Sequence, residues 1–518
     1  MMKVLCRVLS ASLVLSMLAA SNGIAQVVKT EAGDVSGANS ADGVVHIFKG
    51  IPFAAPPVGD LRWQAPQPVQ HWSSVKPCVA FGPSPEQGKP VPFSMWSKEF
   101  LIPDEPISED CLYLNVWTGA QGNEKRPVLV WIYGGGFASG GSACPIYDGE
   151  AMARKGIVFV STNYRVGIFG FFAHPDLTKE SGRNASGNYG LMDQVAALQW
   201  VQKNIAAFGG DPANVTIAGQ SAGSMSVNCL VASPIAKGLF KRAIAESGAN
   251  LIRGGPLRGS NSLQQAEQDG AKFAQSVAAA TIADLRKIPA DELLKKGQGF
   301  RGPIADGYVL PANIPEIFGA NKENDVALLT GWNEDEGLLF GPVKKADDFR
   351  KQAAIQYGAD STSFLKYYPA TTDAEAETSQ LKLSRDMIFG VQNYAWANNS
   401  SSKGRKTFVY RFTRKVPATG EYKKYGAFHT GEVPYAYDNL KFVNRPWEPI
   451  DRKLAEAMSD YWVNFVKTGD PNGKGLPTWP QYTTGSKQVI VFGDEIKATA
   501  IPDSAALDFM EKEMSGSK

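Results

Sequence analysis

Histidine and cysteine are scarce in this chain, with 4 His and 5 Cys in 518 residues. No Cys-x-x-Cys pair and no His-x-x-x-His pair occurs, which argues against a structural zinc site. An excess of one charge is missing too. Lys+Arg is 53 and Asp+Glu is 51, for a net charge of +2, and no basic block is present that could track a phosphate backbone. Nucleic acid is therefore not an expected partner. Beyond the N-terminus no apolar run approaches the ~20 residues of a membrane span, so stable membrane insertion is not expected. No internal repeat is found. What remains is ordinary globular composition, 43% hydrophobic and 20% charged. A chain of this length buries a large core without a metal or disulfide staple.

The N-terminus reads as an export signal. Lys3 and Arg7 precede an apolar stretch from Val8 to Ala20, and Gly23-Ile24-Ala25 puts small residues where a signal peptidase inspects them. There is no Arg-Arg pair, so the twin-arginine route is not indicated. Cleavage after Ala25 removes both bases and no acid, leaving a nearly neutral mature chain. It also removes Cys6 and leaves Cys78, Cys111, Cys144 and Cys229, which an oxidising compartment could pair. The expectation is a periplasmic or secreted protein with a signal peptide over 1–25.

Length alone suggests three domains at roughly 150 residues each. Two punctuated regions, Lys76 to Pro106 and Leu251 to Gln298, do not resemble flexible linkers, so one domain over 26–518 with long excursions is expected. Short apolar runs mark its strands: Val128–Tyr133, Ile157–Ser161, Val215–Ala218, Val326–Thr330, Thr407–Phe412 and Val489–Phe492. Runs that do not alternate suit strands buried on both faces. Leu191, Val195, Leu198, Val201 and Ile205 form one stripe of a helix between them. The succession predicts an α/β fold with a large, mostly parallel central sheet and helices on both faces. Sites in such sheets sit at the carboxyl ends of strands.

Two glycine-rich motifs stand at such ends. Gly219-Gln220-Ser221-Ala222-Gly223 follows Val215–Ala218. A nucleophilic serine on a tight strand-to-helix turn needs small neighbours, and its hydroxyl needs a base to take its proton. A glycine-rich turn closing a βα unit has the same look. Gly134-Gly135-Gly136-Phe137 follows Val128–Tyr133. Its backbone N–H groups suit an oxyanion hole. A nucleotide site is not indicated, since neither G-x-G-x-x-G nor GK[ST] accompanies it.

A base must come from His46, His71, His174 or His429. In the order serine, acid, histidine expected of this architecture, only His429 follows Ser221. The acid must lie between them. Gly331-Trp332-Asn333-Glu334-Asp335-Glu336-Gly337 presents three carboxylates at a strand end, and residue chemistry does not choose among Glu334, Asp335 and Glu336. Phe137, Trp332, Phe340 and Phe428 lie near these segments and are candidates for an apolar pocket, although most aromatics pack cores.

At this point the chain resembles the type-B carboxylesterases of the cholinesterase-like α/β-hydrolase family. The likeness rests on Phe48 to Gly59, Leu61-Arg62-Trp63, Ser108 to Trp117, the Gly134–Phe137 loop, Asn163-Tyr164-Arg165 and Gly187 to Gln194. Phe208 to Pro212, the Ser221 turn, Gly469-Asp470-Pro471-Asn472 and Trp479-Pro480 complete it, in order and over nearly the whole mature chain.

The resemblance implies an α/β-hydrolase fold and a serine esterase with Ser221 as nucleophile, Glu336 as acid and His429 as base. It places the oxyanion hole at Gly135, Gly136 and Ala222, and polar support near the triad at Ser247 and Glu432. It implies no metal or organic cofactor and a small-molecule ester as partner. Gln220 departs from the family, which often has Glu there; a neutral amide is expected to tune the site. The family also pairs the cysteine of its Glu-Asp-Cys motif, here Cys111, with an earlier one. Here that partner would be Cys78, shifted from the usual register. Two other readings stay open at this stage: a lipase acting on long-chain esters, and a non-catalytic binding protein on the same fold. The oligomeric state is not fixed by the sequence.

Overall fold

The computed structural model describes residues 26–252, 262–339 and 341–516. The expected signal peptide, residues 1–25, and Phe340 lie outside the described residues.

Each apolar run forms a strand of one eleven-stranded sheet. In chain order these are β1 (Ala38–Asn39), β2 (His46–Pro52), β3 (Tyr113–Thr118), β4 (Arg126–Ile132), β5 (Val158–Thr162) and β6 (Gly210–Gln220). They continue with β7 (Arg242–Glu246), β8 (Ala327–Asn333), β9 (Thr407–Phe412), β10 (Gln488–Phe492) and β11 (Ile496–Ala500). Across the sheet the order is β11-β10-β9-β8-β7-β6-β4-β5-β3-β2-β1. The seven strands from β10 to β5 pair in parallel. The edges are antiparallel, β11 on β10 and then β3, β2 and β1 beyond β5. The sheet is thus mixed, with the parallel character concentrated where helices cover both faces. That coverage explains the unbroken apolar runs: every residue of β9 is buried, as are Val128 to Ile132 of β4 and Leu328 to Asn333 of β8.

Five helices matter for the site: α1 (Tyr189–Asn204), α2 (Ala222–Ala232), α3 (Val391–Ser402), α4 (Pro449–Thr468) and α5 (Ser504–Ser515). The stripe Leu191, Val195, Leu198, Val201 is buried along α1, and Ile205 is buried just past its end. α2 is buried at every position, as a helix threaded behind a central strand must be. One continuous apolar cluster runs from Val28 to Met510.

The expected Cys78–Cys111 bridge is not formed. Cys78, Cys111, Cys144 and Cys229 are all free and buried. Cys78 directly follows the short strand Lys76–Pro77 and bonds through its backbone to Ser36 and Lys49, whereas Cys111 is buried near the Arg165–Asp193 ion pair. The two thiols belong to different packing environments, and burial raises the pKa of both.

Candidate active site

The glycines around Ser221 are demanded by the way β6 turns into α2. Ser221 itself sits at φ 58° and ψ −124°, a conformation non-glycine residues rarely adopt. A Cβ on Gly219 would collide with the Gly223 carbonyl, and one on Gly223 with the carbonyl of Ile132 in β4. The turn is held from below by the Ser221 N–H, which donates to the Glu246 carbonyl at 2.9 Å. The side chain is thereby lifted above the carboxyl end of the sheet.

His429 reaches Ser221 from the loop after β9. Its Nε2 lies 2.8 Å from Ser221 Oγ, and its Nδ1 lies 2.8 Å from Glu336 Oε2. Glu336 is fully buried, and its second oxygen accepts the Asn333 backbone N–H at 2.8 Å. A carboxylate so placed fixes the imidazole with Nδ1 protonated and leaves Nε2 free to take the serine proton.

The structure separates the three consecutive acids that residue chemistry could not. Glu334 pairs with Arg385 and Arg411. Asp335 accepts the Ala427 N–H at 2.8 Å and so pins the backbone two residues before His429. Only Glu336 meets the imidazole.

Gly135 and Gly136 are exposed in the loop after β4, and a Cβ on the preceding Gly134 would lie 3.0 Å from Ser221 Cβ. Ala222 is the first residue of α2, where backbone N–H groups have no intrahelical acceptor. Gly134, which leads into Gly135 and Gly136, and Ala222 thus lie beside the serine. The Gln220 amide nitrogen lies 3.3 and 3.4 Å from the two imidazole nitrogens. It is too evenly placed to favour either, so it packs on the ring without competing with Glu336.

The two expected supports behave differently. Glu432 accepts from the Asn333 side chain, whose backbone holds Glu336, so it stands one residue from the triad acid. Burial, together with Glu246 and Glu336 nearby, pushes its carboxyl well above the usual range. Ser247 is buried in a left-handed conformation, and its N–H donates to Gly331. Its hydroxyl has no partner among the described residues, so its contribution is to the turn.

The aromatic candidates are corrected. Phe137 packs on Phe171, Phe428 on Phe100, and Trp332 is fully buried with Arg411 over its ring. They are core. The aromatics that do surround the imidazole escaped sequence reading. Phe389 stacks on His429 with centroids 4.3 Å apart and planes 20° apart. Trp96 meets it edge-on at 6.1 Å, and its indole N–H donates to Thr430 Oγ1 at 3.1 Å. Phe93, 59% exposed, packs against Trp96 with the ring planes tilted by 44°. Trp96 and Phe93 belong to the 76–106 excursion, whose Pro and Ser content signalled surface and hid its role. The three remaining histidines are elsewhere: His46 lies in β2, His71 is exposed outside any helix or strand, and His174 caps the helix Pro175–Glu180.

Among the described residues no group of His, Cys, Asp and Glu is placed to hold a metal ion, and no helix is long and apolar enough to cross a membrane.

Residues 24–510 match the sequence model of the carboxylesterase family. The chain is 36% identical over 504 residues to a fumonisin B1 esterase of Sphingopyxis macrogoltabida, covering 90% of this chain and 86% of that protein. It is 34% identical over 506 residues to a para-nitrobenzyl esterase of Bacillus subtilis (strain 168), covering 92% and 97%. A solved structure of a PNB esterase superposes with a TM-score of 0.80 at 31% identity, covering 94% of this chain and 99% of the other.

Proposed function

The chain belongs to the carboxylesterase family and is a carboxylic ester hydrolase, and from that premise we propose that its chemistry runs through Ser221, His429 and Glu336. The observation that carries this assignment is the unbroken hydrogen-bonded chain from Ser221 Oγ through the imidazole to Glu336, with 2.8 Å at both links.

The steps follow from that chain. Ser221 Oγ attacks the ester carbonyl carbon as His429 Nε2 takes its proton. The carbonyl oxygen becomes an oxyanion facing the N–H groups of Gly135, Gly136 and Ala222. Collapse of the tetrahedral species breaks the bond to the alkoxy oxygen, which leaves as the alcohol with the proton from His429. Water, deprotonated by His429, then attacks the acyl-serine, and the acid departs as Ser221 regains its proton. Glu336 stabilises the imidazolium at each transfer.

The substrates are short-chain or aromatic esters. The apolar surfaces of Trp96, Phe389 and Phe93 beside the imidazole support this, since an apolar wall favours uncharged groups and penalises buried charge. The relative named for para-nitrobenzyl esters, whose benzyl group is aromatic, supports the aromatic part of this reading. Export after cleavage at Ala25 belongs to the same proposal and rests on the N-terminal pattern. Hydrolysis of a p-nitrophenyl ester series from acetate to palmitate tests the substrate class. Specificity constants are expected to peak at short acyl chains, and a rise that continues to palmitate would establish a long-chain lipase instead.

A further inference from the structure

Glu246 is a fully buried acid that the reaction steps do not use. It is the last residue of β7, in register with Gln220 of β6 on one side and Gly331 of β8 on the other. Its main-chain carbonyl accepts the Ser221 N–H. Its side chain points to the opposite partners: Oε1 accepts the Tyr437 hydroxyl and the Trp462 indole N–H, each at 2.8 Å. Tyr437 follows directly on Val433–Ala436, the short helix that begins after His429 and Glu432. Its ring packs against Trp131 of β4, 4.7 Å between centroids, on the strand that leads into the oxyanion loop. Trp462 belongs to α4. One residue thus touches the nucleophile turn through its backbone and the base-bearing segment through its carboxyl.

We propose that Glu246 is a positioning residue that sets the Ser221–His429 distance, by tying the nucleophile turn to Tyr437 and Trp462. A carboxyl is suited to this because one oxygen can accept two hydrogen bonds, which an alcohol or amide in a shorter side chain could not reach. Two buried donors converging on one acceptor leave the acceptor little freedom. The inference rests on the triad reading above.

The test is steady-state kinetics per active site, with sites counted by a serine-directed fluorophosphonate at a temperature well below the unfolding midpoint. Glu246→Leu removes the acceptor while filling the space. Misalignment of the reacting pair is expected to lower kcat about tenfold or more with KM within about twofold, since small displacements act on the chemical step. Glu246→Gln restores an acceptor at Oε1 and is expected to recover most of the loss. Tyr437→Phe, which removes one donor and no bulk, is expected to give a smaller fall in kcat at constant KM. It decides the matter if the leucine variant does not fold. Unchanged kcat per titrated site in Glu246→Leu or, failing that, in Tyr437→Phe would overturn the proposal. Ser221→Ala separates the two levels: residual wild-type activity there would sink the triad, whereas an inactive Ser221→Ala beside a fully active Glu246→Leu would sink only the role of Glu246.

Discussion

Glu334, Asp335 and Glu336 are consecutive, yet each is committed to a different task by the direction in which the chain leaves β8. Glu336→Gln is expected to lower turnover by roughly 10³ to 10⁴-fold, because an amide cannot hold the imidazole tautomer. Asp335→Asn should cost less, through a loosened His429 loop, and Glu334→Gln should act chiefly on stability, through Arg385 and Arg411. Rates of the three variants on one ester give the ranking. Ser221→Ala and His429→Ala should each fall about 10⁴ to 10⁶-fold, as members of one unit do. The position of the acid was legible only as a cluster; the resemblance selected Glu336, and what selects it physically is backbone direction, which residue types do not encode. Glu246 adds a pH effect. Burial pushes its carboxyl up to about 7, against 4.5 in an open chain, so the folded state holds this proton more tightly than the unfolded state. Stability from this group is therefore full at acid pH and is lost as pH rises from about 4.5 through about 7, on the order of 3 kcal/mol. Glu246→Gln lacks that loss. Its melting temperature relative to wild type should rise between pH 5 and pH 8, and a constant difference would contradict the assignment.

Among the elements, the turn from β6 into α2 and the segment before α3 show opposite degrees of legibility. The first announces itself, because Gly219 and Gly223 are required by backbone crossing distances that no other residue satisfies. Gly223→Ala is expected to destabilise the fold by more than about 3 kcal/mol, since the clash is with backbone and cannot be relieved by a rotamer; urea denaturation measures it. The second is silent. Residues Asp386–Gly390 form a π-helical turn, anchored by Asp386 on Arg385 and Tyr368, and it turns Phe389 onto the imidazole. One residue of extra winding leaves the apolar pattern of the helix almost unchanged, so periodicity could not reveal it. Phe389→Leu should lower kcat by about 3- to 10-fold, the value of a lost ring stack. The 76–106 excursion was equally opaque: its composition marks it as surface, and the contacts of Trp96 with Thr430 and the His429 ring show that it closes over the base.

For the molecule as a whole, the strand runs predicted the sheet well, whereas its antiparallel edges were not foreseen because β1, β2 and β11 are short or only partly buried. Protein recovered from an exported fraction should begin at Gln26 by intact mass, and alkylation after unfolding without reductant should label all four remaining cysteines, in keeping with their free state. The long separation along the chain between reacting groups has a kinetic consequence. Ser221 and His429 lie 208 residues apart, and the hydrogen bond between them forms only when β6 and β9 already share one sheet. Non-local contacts of this kind are slow to form, because loop-closure entropy is met before they reward it. On refolding from denaturant, helical circular dichroism should therefore return before esterase turnover. During synthesis the serine turn leaves the ribosome long before its base, so nascent chains that stop short of β9 carry a nucleophile that is sterically poised and chemically mute.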